Sequence, residues 1–214
     1  MKCVLCDNRK AKRACPAKGQ PICPLCCGEK RVLELDCPET CAFLKAGRER
    51  DSEEYAKLMR SQDPLLQEKH RRILSENQDV MAHLEYTIAQ YRLVSRDLTD
   101  RDLRGAVDIL LEAYRLEDKG ILYEQEAGDL RVEPLRRELR EVLESYRNPG
   151  GEGAKGTVDP RYTRLHLQSA IECLELLQAM IVLYSGNHHS GSSYVDFLAR
   201  MIPRKESASS IIVP

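Results

Sequence analysis

The sequence predicts a mainly α-helical protein with a small cysteine-rich module at its N-terminus. Eight of the nine cysteines lie within residues 3–41, whereas the ninth, Cys173, stands far downstream. After Cys41 the apolar residues recur at helical spacing, and no long alternating pattern typical of strands is present. The chain therefore divides into a predicted cysteine-rich finger, residues 1–46, and a predicted all-α helical domain, residues 47–214.

Composition and charge narrow the class of protein. Lys and Arg number 33 and Asp and Glu 34, a formal net charge of -1, which excludes a globally polycationic nucleic-acid wrapper. With 42% hydrophobic and 31% charged residues, the composition is typical of a folded, water-soluble protein. The most apolar run, residues 179–184, is too short to span a bilayer. Asp7 and Arg9 interrupt any apolar signal core, so we expect a cytoplasmic protein with no membrane partner.

The cysteine spacing predicts a metal site in preference to disulfides. Two C-x2-C pairs are present, Cys3-x2-Cys6 and Cys23-x2-Cys26. Each pair places two thiolates on one tight turn, and two such pairs at this separation are typical of a tetrahedral zinc site. An odd number of cysteines and the expected cytoplasmic location weigh against disulfides. Because the finger has few apolar residues, burial alone cannot fold it, and metal binding has to stabilise it.

Eight thiolates suit two four-thiolate zinc sites. Neighbouring residues project in different directions, so we assign Cys26 and Cys27 to different ions. The two interleaved sites, a cross-brace, then consist of Cys3, Cys6, Cys23 and Cys26 (site 1) and of Cys15, Cys27, Cys37 and Cys41 (site 2). One open alternative is a single zinc ion on the two C-x2-C pairs, with four structural or reactive cysteines. Another is an iron–sulfur cluster, although the C-x2-C-x2-C run of bacterial ferredoxins is absent.

With this spacing, residues 3–41 resemble a B-box-type zinc finger, a cross-braced family with two zinc ions. The resemblance lies in the two C-x2-C pairs and in the eight-residue step from Cys15 to Cys23. The chain departs from the family pattern at Lys18, where Cys or Asp is usual, and at Cys37 and Cys41, where His is usual. The resemblance implies protein–protein contacts and self-association.

Helix start and stop signals divide the first half of the helical domain. A charged helix is predicted over residues 50–60. Asp63-Pro64 suits the start of a long helix that reaches Tyr91, with a possible break near Asn77. Thr99 and Asp102 can cap the next helix, which is predicted to end at residues 119–120.

The second half of the helical domain follows the same signals. Glu133-Pro134 begins a helix that stops near residue 148, and the Gly-rich residues 148–158 predict a flexible loop. Asp159-Pro160 begins the most apolar helix, which runs to residue 184. A short helix over residues 194–202 and a tail over residues 203–214 complete the prediction. The apolar helix carries a polar stripe formed by Arg164, Gln168, Glu172 and Glu175.

The residue types predict an interaction protein without catalytic activity. Closed four-thiolate shells leave no position for water or substrate, and the helices carry no catalytic constellation. A nucleotide site is rejected because Thr157 replaces the Lys that a phosphate loop requires. We expect a protein partner or a second copy of the chain to contact exposed cations of the finger. The candidate contact residues are Arg9, Lys10, Lys12, Arg13, Lys30 and Arg31.

Two other functions stay open at this point. The same basic surface could bind nucleic acid, in which case the affinity would fall steeply with salt. Alternatively, the finger could sense redox state or zinc, since oxidation of its thiolates would eject the metal.

Overall fold

The computed structural model describes residues 1–121, 131–149, 164–187 and 191–203. Over these ranges the chain is mainly α-helical with an N-terminal cysteine cluster, which confirms the predicted fold class. Residues 150–158 of the predicted loop and residues 204–214 of the predicted tail lie outside the described residues. The elements of the described ranges are β1 (Arg13–Cys15), β2 (Gln20–Ile22), α1 (Pro24–Lys30), α2 (Ala42–Arg60), α3 (Pro64–Glu76), α4 (Gln78–Val94), α5 (Asp100–Asp118), α6 (Glu133–Arg147), α7 (Leu167–Asn187) and α8 (Ser193–Met201).

Three predicted helix boundaries are confirmed, and each depends on local hydrogen bonds. The Asp63 carboxylate accepts from the amides of Leu65 and Leu66 and so caps α3. Asn77 separates α3 from α4, as predicted. Thr99 and Asp102 form a reciprocal capping box at the start of α5.

Two helices begin elsewhere than predicted. The charged helix α2 already begins at Ala42, directly after Cys41, and is continuous across residues 46 and 47, the predicted boundary of the finger. The apolar helix α7 begins only at Leu167, so Arg164 lies outside the helix and does not belong to its polar stripe. The amide of Leu165 donates instead to the carbonyl of Tyr146, 3.0 Å away, which holds the preceding backbone against the end of α6.

The polar stripe of α7 binds two neighbouring helices. Glu172 pairs with Arg72 of α3 at 2.6 Å. Glu175 pairs with Lys69 of α3 at 3.0 Å and with Arg115 of α5 at 2.8 Å. The opposite face of α7 is apolar and buried, with Leu174 and Leu177 fully enclosed. Helix α7 is long and apolar enough to cross a membrane. The buried core helix of a water-soluble protein can have the same length and composition.

A buried carboxylate at the start of α5 caps α8, which lies 94 residues further along the chain. Asp100 is 3% exposed and accepts from the amides of Tyr194 and Val195 at 3.1 and 3.0 Å. The Ser185 hydroxyl donates to the same carboxylate at 3.1 Å. The residue before α8, Ser192, makes no side-chain cap bond, so Asp100 supplies the missing acceptor.

Helix α2 and its neighbours attach the finger to the helical domain. The Arg48 guanidinium donates to the carbonyl of Arg200 in α8, 2.7 Å away, and also pairs with Glu39 at the edge of the finger. Asp51 of α2 lies 3.3 Å from the Arg200 guanidinium. The finger is therefore held by a continuous helix and by contacts between α2 and α8.

Candidate metal centre

The first cysteine pair lies on a tight N-terminal turn. The Cys3 amide donates to the carbonyl of Arg9 and the Asp7 amide donates to the carbonyl of Cys3, which closes the turn. Asp7 adopts a left-handed backbone conformation with φ 46°, which short polar residues such as Asp tolerate. Cys3 and Cys6 therefore point their sulfurs to the same cluster.

The second cysteine pair lies at the start of α1. Cys23 occupies the cap position, its sulfur accepts from the Cys26 amide at 3.4 Å, and Pro24 fits the first helical turn because it needs no amide donor. This geometry places Cys26 one turn into the helix, facing Cys23.

The four sulfurs of Cys3, Cys6, Cys23 and Cys26 all lie within 4.8 Å of one another and could bind a metal ion. The sulfurs of Cys6 and Cys23 are 4.0 Å apart. A tetrahedral ion with Zn–S bonds of about 2.3 Å requires sulfurs about 3.8 Å apart, so the cluster has the size of a four-thiolate zinc shell. The structure thus brings together the four residues predicted for site 1.

Backbone amides favour the charged form of two of these thiols. Burial raises the pKa of Cys3, but amide donors, among them those of Leu5 and Cys6, outweigh it and lower the pKa to about 6. The amides of Arg9 and Asn8 likewise lower the pKa of Cys6.

Cys26 shows the opposite behaviour. Burial and the neighbouring sulfurs raise its pKa to about 12. Four sulfurs this close repel one another when all are ionised, and a bound dication removes that repulsion. The donor set therefore fits a divalent, thiolate-preferring ion.

The four residues predicted for site 2 are less compact. Within the described residues, only the site 1 cysteines have all four sulfurs within 4.8 Å of one another. Cys15, Cys27 and Cys37 nevertheless share the core of the finger, and Cys41 packs with Cys37. Burial raises the pKa of Cys37, and the charges of Cys41, Cys15 and Cys27 raise it further. In the part of the chain that the structure describes, no three of these four sulfurs lie within 4.8 Å of one another, so the structure does not bring site 2 together as a metal shell.

Val32 is a residue of this region that the sequence did not single out. Its backbone is left-handed, with φ 64°, which is rare for a β-branched residue. In this conformation its backbone hydrogen-bonds the Cys37 thiol and partly offsets the rise in the pKa of that group. No glycine or asparagine marks the turn, so the sequence carried no signal for it.

The predicted contact cations occupy three kinds of environment. Arg9, Lys10 and Lys12 are exposed. Arg13 is half-buried, with its guanidinium carbon 4.9 Å from the centre of the Phe43 ring. Lys30 is half-buried and pairs with Glu34 one helical turn away.

The prediction that Arg31 is an exposed contact residue is wrong, because this residue is only 4% exposed. Its guanidinium donates to the carbonyls of Cys27 and Phe43, each at 3.3 Å. Gly47 of α2 provides the space: a Cβ atom there would lie 1.2 Å from Nη1 of Arg31. Arg31 is thus a buried link between α1 and α2.

We expect Gly47→Ala to lower the free energy of unfolding by about 2 kcal/mol, although alanine usually stabilises a helix by about 1 kcal/mol. The new methyl group has to displace the Arg31 guanidinium from its two carbonyl acceptors. Urea denaturation of the zinc-loaded protein measures the change.

Gly105→Ala is the matched control, since a Cβ in that helix meets nothing closer than 3.9 Å. We expect it to stabilise the protein by about 0.5 to 1 kcal/mol. In an Arg31→Ala background the cost of Gly47→Ala should disappear. An equal cost in both backgrounds would contradict the proposed overlap.

Two apolar residues of the cysteine turns face solvent, which the sequence did not predict. Val4 is 47% exposed and Leu25 is 44% exposed. Val4 lies between Cys3 and Cys6, and Leu25 lies between Cys23 and Cys26. Both turns meet at the same sulfur cluster, so each turn that leads to the cluster carries one exposed apolar residue.

A comparison of the chain with protein-family models, curated proteins and solved structures gives no match. The function is therefore inferred from the residues themselves.

Proposed function

We propose that the protein is a cytoplasmic, non-enzymatic interaction protein whose zinc-stabilised finger binds a protein partner with an acidic surface. The observation that carries this proposal is the presence of exposed apolar turns, at Val4 and Leu25, and exposed cations on the same small module. The resemblance to B-box-type fingers supports the same kind of use.

The metal part of the proposal assigns two zinc ions. Site 1 supports zinc by its four thiolates and its size. The placement of the site 2 cysteines supports a second ion, because Cys15, Cys27 and Cys37 share the core of the finger and Cys41 packs with Cys37. Closed shells of this kind give the finger a structural role and leave no site for catalysis.

The charge of the finger favours an acidic partner. Across the residues that the structure describes, no carboxylate lies within 4.0 Å of five exposed cations, which are Lys2, Arg9, Lys10, Lys12 and Lys18. Exposed apolar residues together with an excess of exposed cations are typical of a binding surface for an acidic segment.

The test uses two double variants of the full-length chain purified without chelators. Val4→Ser/Leu25→Ser removes the apolar turns, and Lys10→Glu/Lys12→Glu reverses part of the charge. Quantitative affinity purification from the native cell identifies partners, and titration with the purified partner measures affinity. We expect each double variant to weaken binding at least tenfold while the zinc content is unchanged.

Two surface variants remote from the finger serve as controls. Leu65, which is 84% exposed at the start of α3, is replaced by Ser, and the exposed Lys119 is replaced by Glu. Both should leave the affinity unchanged. Partner recovery that is equal for the wild type and both finger variants would refute the proposal.

The same variants separate the two alternative functions. Nucleic-acid binding would be abolished by the charge reversal but not by the loss of Val4 and Leu25. The logarithm of its binding constant would fall linearly and steeply with the logarithm of the salt concentration. A redox sensor would release zinc under mild peroxide at concentrations that leave a structural site loaded.

A further inference from the structure

A cleft of about 620 Å³ lies where the finger meets α2 and α8. Its charged lining consists of four arginines and two acids, which are Arg13, Arg31, Arg50, Arg200, Glu29 and Asp51. The remaining walls are apolar or small residues of α1, Leu25 among them. The cleft is therefore wide enough for a small charged group and strongly positive.

The two acids do not neutralise the four arginines. Asp51 is shared, with one carboxylate oxygen 3.3 Å from Arg50 and the other 3.3 Å from Arg200. The Nε atom of Arg200 is buried and lies 3.3 Å from Asp51, but its N–H is not aligned to donate a hydrogen bond to that carboxylate. Glu29 is exposed. Four guanidinium groups against two carboxylates leave a net charge of +2 in the cleft.

Two of the arginines are already fixed in position. Arg31 is held by two backbone carbonyls, and among the described residues no carboxylate lies within 4.0 Å of it. Arg13 is held against the Phe43 ring. Groups that are ordered before binding lose little conformational entropy when a ligand arrives.

We propose that this cleft binds a phosphoryl group. Guanidinium groups match the geometry of phosphoryl and carboxylate oxygens through paired N–H donors. A phosphoryl dianion balances the net charge of +2, whereas one carboxylate leaves half of it uncompensated. The group belongs either to a phosphorylated peptide or to free phosphate. The inference does not depend on the partner proposed above, since the cleft is complete within a single chain.

The test is isothermal titration of the zinc-loaded, full-length protein at 150 mM NaCl. The probes are inorganic phosphate, pyrophosphate, and a phosphoserine peptide with its unphosphorylated counterpart. We expect saturable binding of one equivalent of a phosphorylated probe. Free phosphate as the physiological source predicts similar affinities for phosphate and the phosphopeptide, whereas a phosphorylated partner predicts that the phosphopeptide binds at least tenfold more tightly.

Two variants test whether the cleft is the site. Arg50→Gln changes a side chain that is 69% exposed, and Arg13→Gln changes the stacked one, so both should fold. Each is expected to weaken binding at least tenfold, whereas Arg101→Gln, on the exposed surface of α5, should leave it unchanged. Absence of saturable binding for all probes, or equal weakening by Arg101→Gln, would overturn the proposal. Retained partner binding in that case would leave the proposed function of the finger intact.

Discussion

Removal of the metal is expected to unfold the finger, residues 1–41, while the helical domain stays folded. Most of the buried apolar residues in the core of the finger are cysteines, and the others are Ile22 and Leu35. Without an ion this core cannot offset the entropy of folding, because structural zinc sites contribute about 10 kcal/mol or more to the folding of small modules. The helical domain has a separate, larger core that contains no predicted ligand.

Hydrogen exchange followed by mass spectrometry measures this effect. After dialysis against a chelator, amides of residues 1–41 should lose protection, those of α4, α5 and α7 should keep it, and added zinc should restore the first group. Retained protection of the finger in metal-free protein would contradict the prediction.

Single cysteine variants count the ions. Native mass spectrometry of the wild type should show two zinc ions, and Cys26→Ser and Cys37→Ser should each lose at least one. Cys173→Ala is the control, because this residue lies in the helical core, away from the finger. One ion in the wild type, unchanged in Cys37→Ser, would favour the single-site alternative.

Asp100→Ala is expected to lower the free energy of unfolding by about 2 to 4 kcal/mol. The substitution leaves the amides of Tyr194 and Val195 buried without an acceptor, and it removes the partner of the Ser185 hydroxyl. It also uncaps α8, whose nine residues are too few to be stable alone. Urea denaturation followed by circular dichroism gives the magnitude.

The exposed Asp97, three residues before Asp100, provides the matched control, and Asp97→Ala should change the stability by less than about 0.5 kcal/mol. Asp100→Asn keeps an acceptor oxygen and should cost less than Asp100→Ala. A cost for Asp100→Ala no larger than that for Asp97→Ala would show that the cap does not stabilise α8.

The features predicted correctly from the sequence are local ones. The caps at Asp63 and Thr99 and the break at Asn77 depend on residues within three or four positions. The site 1 cysteines could also be grouped in advance, because each C-x2-C pair is set by one turn. Site 2 is harder to assign, since its cysteines lie on three different segments of the chain, β1, α1 and the connection before α2.

The features that were missed depend on distant partners. The start of α7 depends on the hydrogen bond from the Leu165 amide to the Tyr146 carbonyl. No pattern in the neighbouring sequence predicts this bond. From the sequence alone Arg31 is predicted to be an exposed cation. In the structure its guanidinium is buried, because Gly47, sixteen positions further along the chain, leaves space for it. Charge and spacing predict neither event, because both arise from packing between separate elements.

The cap of α8 by Asp100 sets an order for folding on the ribosome. Helix α8 covers α4, and its amides satisfy a carboxylate made 94 residues earlier. Until residues 193–201 have been synthesised, that carboxylate lacks its amide donors and the part of α4 that α8 covers stays in water, although α3 and α6 can already pack against the rest of α4. The finger leaves the ribosome long before then, and its ligands are all within the first 41 residues. Metal capture by the finger, if it occurs as proposed, would therefore precede the closure of the helical core by α8.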